Sequence, residues 1–424
     1  MASTALSNLR ICDFTGQLAG AGATRFLAAF GAEVIRIENP SNQGRWDILR
    51  GSGPFLDERR GIELGGAYNN HNVEKLGITL NLQTEPAREL LRRLIAISNV
   101  VTENFAGGVL ARMGFSYETL REIQPSIVYV SNCGFGHSGP YMHFKTWGPS
   151  VQAFSGLTFN SGLPDQPPAG WGYSYMDHTG GYYMAMAILM ALYHQRRTGH
   201  GQWVDFATTE AALTLNGPAL LDYTVNGRPL RRTRMPNTNR SQSPSMSPHG
   251  VFPCRSLPRE QPDEWGDRED RWVAVACRDD RDWRALAQVI GMPWSGDSRF
   301  AMLEGRLANE DELDAQISAW TRERDPIVVA ELLQTAGVPV SVVQTPEQRI
   351  ECDPNTSAWR LWPEVDHNEI GRVRVDGLPV HLSETDWEIQ HGAPCLGQHN
   401  EYVFGQLLGL TSQEIAKLHE DGAI

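Results

Sequence analysis

The stretch LRICDFTGQLAGAGATRFLAAFGAEVIRIE, residues 9–38, reads as strand, tight turn, helix and strand. Leu9 to Phe14 is short and β-prone, and Gly16, Gly20 and Gly22 then open an Ala-rich helical segment. That segment ends near Phe30-Gly31, where the glycine suits a helix C-cap, and Val34-Ile35-Arg36-Ile37-Glu38 returns as a second strand. The pattern predicts two parallel strands joined by a crossover helix.

The same alternation continues outward. Thr84 can cap a helix with Glu85 and Pro86 in its first turn, and Leu90, Leu91, Leu94 and Ile95 give it one apolar face before Asn99-Val100-Val101 returns as a strand. Ser126 to Ser131 reads as a strand, His178 to Arg196 as a helix and Gln202 to Phe206 as a strand. Strand and helix alternation of this length predicts an α/β fold with a mainly parallel, doubly wound sheet. We expect a large domain over 1–225, a linker or binding loop over 226–249, a small domain over 250–345, and a linker with a C-terminal return to the large domain over 346–424. Pro258 to Asp270 reads as a charged hairpin tip, the chain after Pro354 as irregular, and Thr411-Ser412-Gln413-Glu414 as a capping box opening a terminal helix.

The chain has 424 residues and a formal net charge of −13, from 37 Lys+Arg against 50 Asp+Glu. That balance argues against a nucleic-acid partner, because neutralising phosphates calls for a basic excess. Met1 to Asn8 lacks the pattern of a secretory signal, and the apolar run Tyr182 to Tyr193 is too short to span a bilayer, so a membrane partner is not expected. Cys12, Cys133, Cys254, Cys277, Cys352 and Cys395 are scattered without zinc spacing; we expect reduced thiols, a cytoplasmic location and no metal site.

Several segments could carry chemistry. Gly16, Gly20 and Gly22 follow the spacing G-x-x-x-G-x-G rather than G-x-G-x-x-G, so they argue weakly for a dinucleotide; they suit a phosphate at a helix start or simply a tight turn with close packing. Asp177 falls at, or just before, the start of the helix rich in Met and Tyr. It reads either as an N-cap or as a nucleophile, ionised by the helix dipole and given room by Gly180 and Gly181. Its neighbour His178 reads as structural. Asn104-Phe105 with Arg112 follows the Val100-Val101 strand at the sheet edge where ligands bind, and Arg112 could meet a phosphate or form a surface ion pair. Lys145 and Trp147 offer a cation and an aromatic platform, although Trp147 would also serve as core. The Met/Tyr run after Gly181 reads as buried helix rather than a cofactor box.

Taken in order, these pieces resemble the class III CoA-transferase family, which includes formyl-CoA:oxalate and carnitine CoA-transferases. The carrying segments are Asp13-Phe14-Thr15 with the turn to Gly20, Phe30 to Glu38, Glu103-Asn104-Phe105 with Arg112-Met113-Gly114, Asp177 before its helix, Arg197 to Gln202, and the ending from Leu408 to Ile424. The resemblance implies a Rossmann-like doubly wound large domain plus a smaller α+β domain, in an interlocked dimer of ring-shaped subunits whose active site lies between the large domain of one and the small domain of the other. It implies Asp177 as the catalytic aspartate and coenzyme A or acyl-CoA as substrate, with no prosthetic group. Gln17, Leu18, Asn39, Leu80, Asn104, Phe105, Arg112, Lys145 and Trp147 fall at the family's CoA-binding positions. Asn39 stands where a CoA-binding arginine is expected, and Trp147 where a tyrosine is expected. A glycine run that closes over oxalate-type sites is missing, with Asn239 to Gly250 in its stretch, which argues against small dicarboxylates such as oxalate.

The reaction implied moves CoA from an acyl-CoA donor to an organic acid through an aspartyl-CoA thioester, with backbone N–H groups around Gly180 and Gly181 or Gln17 expected to stabilise the oxyanions. Trp171, Tyr173, Tyr175 and Met176 suggest an aromatic-lined pocket for a bulky or aromatic acid such as an arylsuccinate, with succinyl-CoA as donor. Three rivals stand beside this reading. An acyl-CoA racemase or isomerase of the same fold is disfavoured because Trp147-Gly148 stands where its His-Asp is expected. A CoA-binding subunit without activity, paired with a paralogue in a heterodimer rather than a homodimer, is disfavoured by the presence of Asp177. An NAD enzyme is disfavoured by the glycine spacing.

Overall fold

Strand β1, Arg10–Asp13, and strand β2, Glu33–Glu38, flank helix α1, Ala19–Ala29, and pair in parallel with Ile11 opposite Val34. The computed structural model describes residues 4–163, 166–172, 174–231, 238–263 and 266–424. Helix α2, Gly66–His71, strand β3, Leu76–Thr79, helix α3, Glu85–Ala96, and strand β4, Val100–Glu103, follow. Then come helices α4, Val109–Arg112, and α5, Tyr117–Ile123, and strand β5, Val128–Cys133. Helices α6, Gly148–Phe154, and α7, Tyr175–Thr198, strand β6, Trp203–Ala207, and helices α8, Thr208–Thr214, and α9, Gly217–Asn226, complete the series. The six strands form one parallel sheet in the order β3-β2-β1-β4-β5-β6, the doubly wound arrangement expected from the alternation.

Successive strand residues serve opposite layers. Cys12, Ile35, Val101 and Tyr129 pack with Leu90, Leu91, Leu94 and Ile95 of α3. Their neighbours Ile11, Val34, Val100 and Val128 pack with Ala23 and Leu27 of α1 and Met184, Ala185 and Ile188 of α7. Burial on both faces explains the unbroken apolar runs. Helix α3 begins as its sequence predicts, the Thr84 side chain accepting from the Ala87 N–H.

The chain divides into two compact units, one of residues 1–160, 170–228 and 354–424, the other of 161–169 and 229–353. In the second, His249–Pro253, Trp272–Ala276 and Val340–Val343 form an antiparallel sheet. Helices Asp280–Ile290, Glu310–Arg322 and Pro326–Thr335 complete it. Leu257–Asp263 and Gly266–Glu269 pair as the expected hairpin.

Two stretches are more ordered than their sequence suggests. Within 226–249, Ser241–Gln242 and Ser245–Met246 pair as a short ladder, while residues 232–237 lie outside the described residues. The chain after Pro354, expected to be irregular, forms a hairpin of Glu364–His367 with Gly371–Arg374 and then covers the β3 edge of the sheet. There the Gly77 N–H donates to Nδ1 of His399 (3.0 Å) and the Thr79 N–H to Oδ1 of Asn400 (2.9 Å). The terminal helix, Ser412–Glu420, opens with the expected capping box. Among the described residues no helix is long and apolar enough to cross a membrane.

Candidate active site

The strand order reverses between β1 and β4, where an open parallel sheet forms a crevice at the carboxyl ends of its strands. The loop leaving β1 is fastened there by buried side chains. Asp13 accepts from the Thr15 N–H (2.9 Å) and from the hydroxyls of Thr15, Thr102 and Thr24 (2.6, 2.8 and 2.8 Å). Asn104, just beyond β4, accepts from the Gly16 N–H and donates to its carbonyl, both at 2.9 Å. The Gln17 N–H donates to Oδ2 of Asp47 (3.0 Å), an oxygen also held by Nη2 of Arg36 (2.6 Å), while Nη1 of Arg36 donates to the Thr15 carbonyl (2.5 Å). These contacts hold Gln17 in a left-handed conformation, φ +57°.

This clamp decides the role of the glycines. A Cβ on Gly16 would collide with the Trp46 ring, and one on Gly20 would lie 2.5 Å from Cβ of Thr15. Close packing is therefore what Gly16 and Gly20 provide, and the Gly16 N–H is already bound to Asn104.

A cavity of about 450 Å³ opens beside the clamped loop. Gln17, Leu18, Asn104, Phe105, Lys145, Trp147 and Asp177 all line it. Among its described lining residues Asp177 is the only carboxylate and Lys145 the only cation. A second cavity of about 450 Å³ is lined by Asn39, Leu80 and Phe105, and the two share Trp46, Phe105 and Val109 as a wall. Phe105 is fixed between them, because its N–H donates to Glu103 (2.6 Å) and its ring meets Trp46 edge-on at 4.9 Å. Burial pushes the Glu103 carboxyl up to about 7, opposed by that N–H and by the Tyr129 hydroxyl at 3.0 Å.

Asp177 is the third residue of α7, with Ser174 at the N-cap position, so the N-cap reading of Asp177 does not hold. Burial raises its carboxyl to about 6, against a backbone hydrogen bond that lowers it. Gly180 and Gly181 lie farther along α7, where their N–H groups belong to the helix ladder and cannot receive an oxyanion. They leave no room for a substrate either: a Cβ on Gly181 would sit 2.8 Å from the Ala19 carbonyl oxygen, and one on Gly180 2.9 Å from Cγ2 of Thr208. The Gln17 N–H is likewise taken, by Asp47. The first N–H groups of α1, at Leu18 and Ala19, have no partner within the helix, and both residues line the cavity.

Other expectations are corrected. Arg112 lines neither cavity; it is exposed and turns back to donate to the Gly107 carbonyl (3.3 Å). Trp171 and Tyr175 stack edge-on with each other, Met176 is buried with Val151 and Leu157, and none of the three lines the first cavity; Tyr173 lies outside the described residues. The aromatic lining comes instead from Trp46, Phe105, Phe144 and Trp147. His178 faces His71, ring centroids 5.3 Å apart. The Met/Tyr run is only half buried: α7 hides Met184, Ala185, Ile188 and Ala191 but exposes Tyr182, Met186, Met190 and Tyr193. Trp46, Asp47 and Phe144 were not legible as site residues, since only the folded loops bring them to the sheet edge.

A doubly wound α/β unit with two neighbouring cavities at its switch point, the first holding one carboxylate among its described lining residues, has the build of an enzyme that takes an extended ligand. The family model for CoA-transferase family III matches residues 6–400, and the chain belongs to that family; it is a CoA-transferase, and CoA thioesters are its class of substrate. It is 29% identical over 414 residues to a succinyl-CoA–D-citramalate CoA-transferase of Chloroflexus aurantiacus, covering 97% of this chain and 96% of the relative. It is 31% identical over 440 residues to a formyl-CoA:oxalate CoA-transferase of Streptomyces coelicolor, covering 100% of both. A CAIB/BAIF family protein from Brucella suis has a similar crystal structure, with TM-score 0.82 and 28% identity over 96% of this chain and 100% of that one.

Proposed function

We propose that this enzyme transfers CoA from succinyl-CoA to a second carboxylic acid through a thioester on Asp177. The observation that carries this is the position of Asp177, the one carboxylate among the described residues lining the first cavity, which burial leaves partly desolvated. A carboxylate oxygen of Asp177 attacks the thioester carbonyl, the C–S bond breaks, and a mixed anhydride and CoA thiolate form. The thiolate attacks the aspartyl carbonyl, the anhydride C–O bond breaks, and the donor acid leaves as its carboxylate. The acceptor carboxylate then attacks the aspartyl thioester, and the returning thiolate takes the acyl group from the second anhydride, restoring Asp177. One thioester replaces another, so the exchange is nearly isoenergetic. The N–H groups of Leu18 and Ala19 support a role as oxyanion donors.

The acyl end belongs in the first cavity and the adenosine end in the second, with Trp46, Phe105 and Val109 between them. The similarity to a succinyl-CoA–D-citramalate CoA-transferase and to a succinate–glutarate CoA-transferase supports succinyl-CoA as donor. A bulky or aromatic acid remains our acceptor, resting now on Phe144 and Trp147 rather than on Trp171 and Tyr175. The interlocked dimer is part of the reading: the exposed stripe of Tyr182, Met186, Met190 and Tyr193 on α7 favours a covered face. Six free thiols fit a reducing compartment such as the cytoplasm.

Incubation with succinyl-CoA and a panel of carboxylic acids, read by mass spectrometry for new thioesters, tests the assignment. A new acyl-CoA from a bulky or aromatic acid with release of succinate is expected; transfer to oxalate alone would overturn the acceptor class, and hydrolysis without transfer would overturn the reaction.

A further inference from the structure

We infer that Arg88 binds the 3′-phosphate of coenzyme A, supplying the positive charge that Asn39 does not. The inference rests on the reading of the two cavities as one coenzyme A site. Arg88 is the only cation among the described residues lining the second cavity. The one carboxylate among those described residues, Glu38, is already held by Arg50 at 2.6 Å and Arg36 at 3.4 Å, so it neither neutralises Arg88 nor repels an anion as a free charge would.

The Arg88 guanidinium is not spent on a strong partner. Its Nε lies 3.5 Å from Glu85, whose carboxylate is 70% exposed and is hydrogen-bonded by Arg92 at 2.8 Å. Among the described residues neither Nη1 nor Nη2 of Arg88 makes a hydrogen bond. The group is nonetheless placed: its Cζ lies 5.4 Å from the Phe115 ring centroid, and a Cβ on Gly114 would collide with Nη2. A planar guanidinium with both terminal nitrogens available fits a phosphate in two-pronged fashion. Leu80 and Leu82 give the cavity the apolar walls an adenine base needs, and Asp177 lies in the other cavity, so the phosphate met at Arg88 is the one on the ribose. Arg112, the cation expected for this task, turns away to the Gly107 carbonyl.

The test measures binding of coenzyme A and of 3′-dephospho-coenzyme A by calorimetry to the full-length wild type, Arg88→Gln and Arg88→Lys, with melting temperatures as a check on folding. Wild type should prefer coenzyme A by about tenfold or more, the worth of a charge-assisted phosphate contact. Arg88→Gln should bring that ratio close to one while leaving dephospho-coenzyme A binding unchanged, and Arg88→Lys should restore part of it. An unchanged ratio in Arg88→Gln overturns the inference alone, as does equal weakening of both ligands, which would put Arg88 on the pyrophosphate. A wild type that binds neither ligand overturns the coenzyme A site as well.

Discussion

Asp177 combines a helix start, which favours its charge, with burial, which opposes it, and burial wins by raising its carboxyl from 3.8 to about 6. In the proposed reaction only the ionised form attacks the thioester, so kcat/KM should climb as pH rises through about 6 and level off above it; a profile flat from pH 5 to 8 would contradict this. Stability runs the other way. The folded state holds the proton more tightly than the unfolded chain, so ionisation destabilises the fold progressively as pH rises from about 4 through 6. Asp177→Asn should therefore melt above wild type at pH 7.5, with no difference near pH 3.5, while losing transfer. A thermal scan at the two pH values checks it. At this scale the sequence showed Asp177, Asn104 and Phe105, because each follows a strand or opens a helix. Asp47 and Arg88 were not visible: Asp47 meets Gln17 across 30 residues, and Arg88 lies on the charged face of α3, where local pattern reads only solvent.

The contact between α1 and α7 is the element on which the site's shape depends. Gly181 brings the α7 backbone against the Ala19 carbonyl, and Ala19 itself lines the cavity. Gly181→Ala would put a methyl 2.8 Å from that oxygen, with backbone on both sides unable to yield easily. We expect a loss of about 1–3 kcal/mol in urea unfolding, with impaired turnover; full stability would contradict the packing role. Most core elements were legible, since strands buried on both faces are apolar throughout and α3 carries its own cap. Strand β3 was missed because Gly77 breaks its apolar run, and that glycine answers to a distant neighbour: a Cβ there would sit 2.7 Å from Cβ of Pro394. The hairpin of Glu364–His367 and Gly371–Arg374 was missed because its polar alternation resembles a loop.

For the molecule as a whole, the alternation over residues 9–207 settled the fold class, whereas assembly is invisible to local pattern. The exposed apolar side of α7 has Met190 at 62% and Tyr193 at 64% accessibility, unusual for a surface in water. Light scattering should give twice the chain mass of 47.1 kDa, and Met190→Glu with Tyr193→Glu should lower it; a wild-type mass of one chain would remove the dimer. The most direct test of the whole account is chemical trapping at Asp177. Enzyme exposed to succinyl-CoA and then hydroxylamine should carry a hydroxamate on Asp177 in the peptide mass spectrum, in wild type and not after incubation without thioester. An unmodified Asp177 in enzyme that still turns over would contradict the aspartyl thioester.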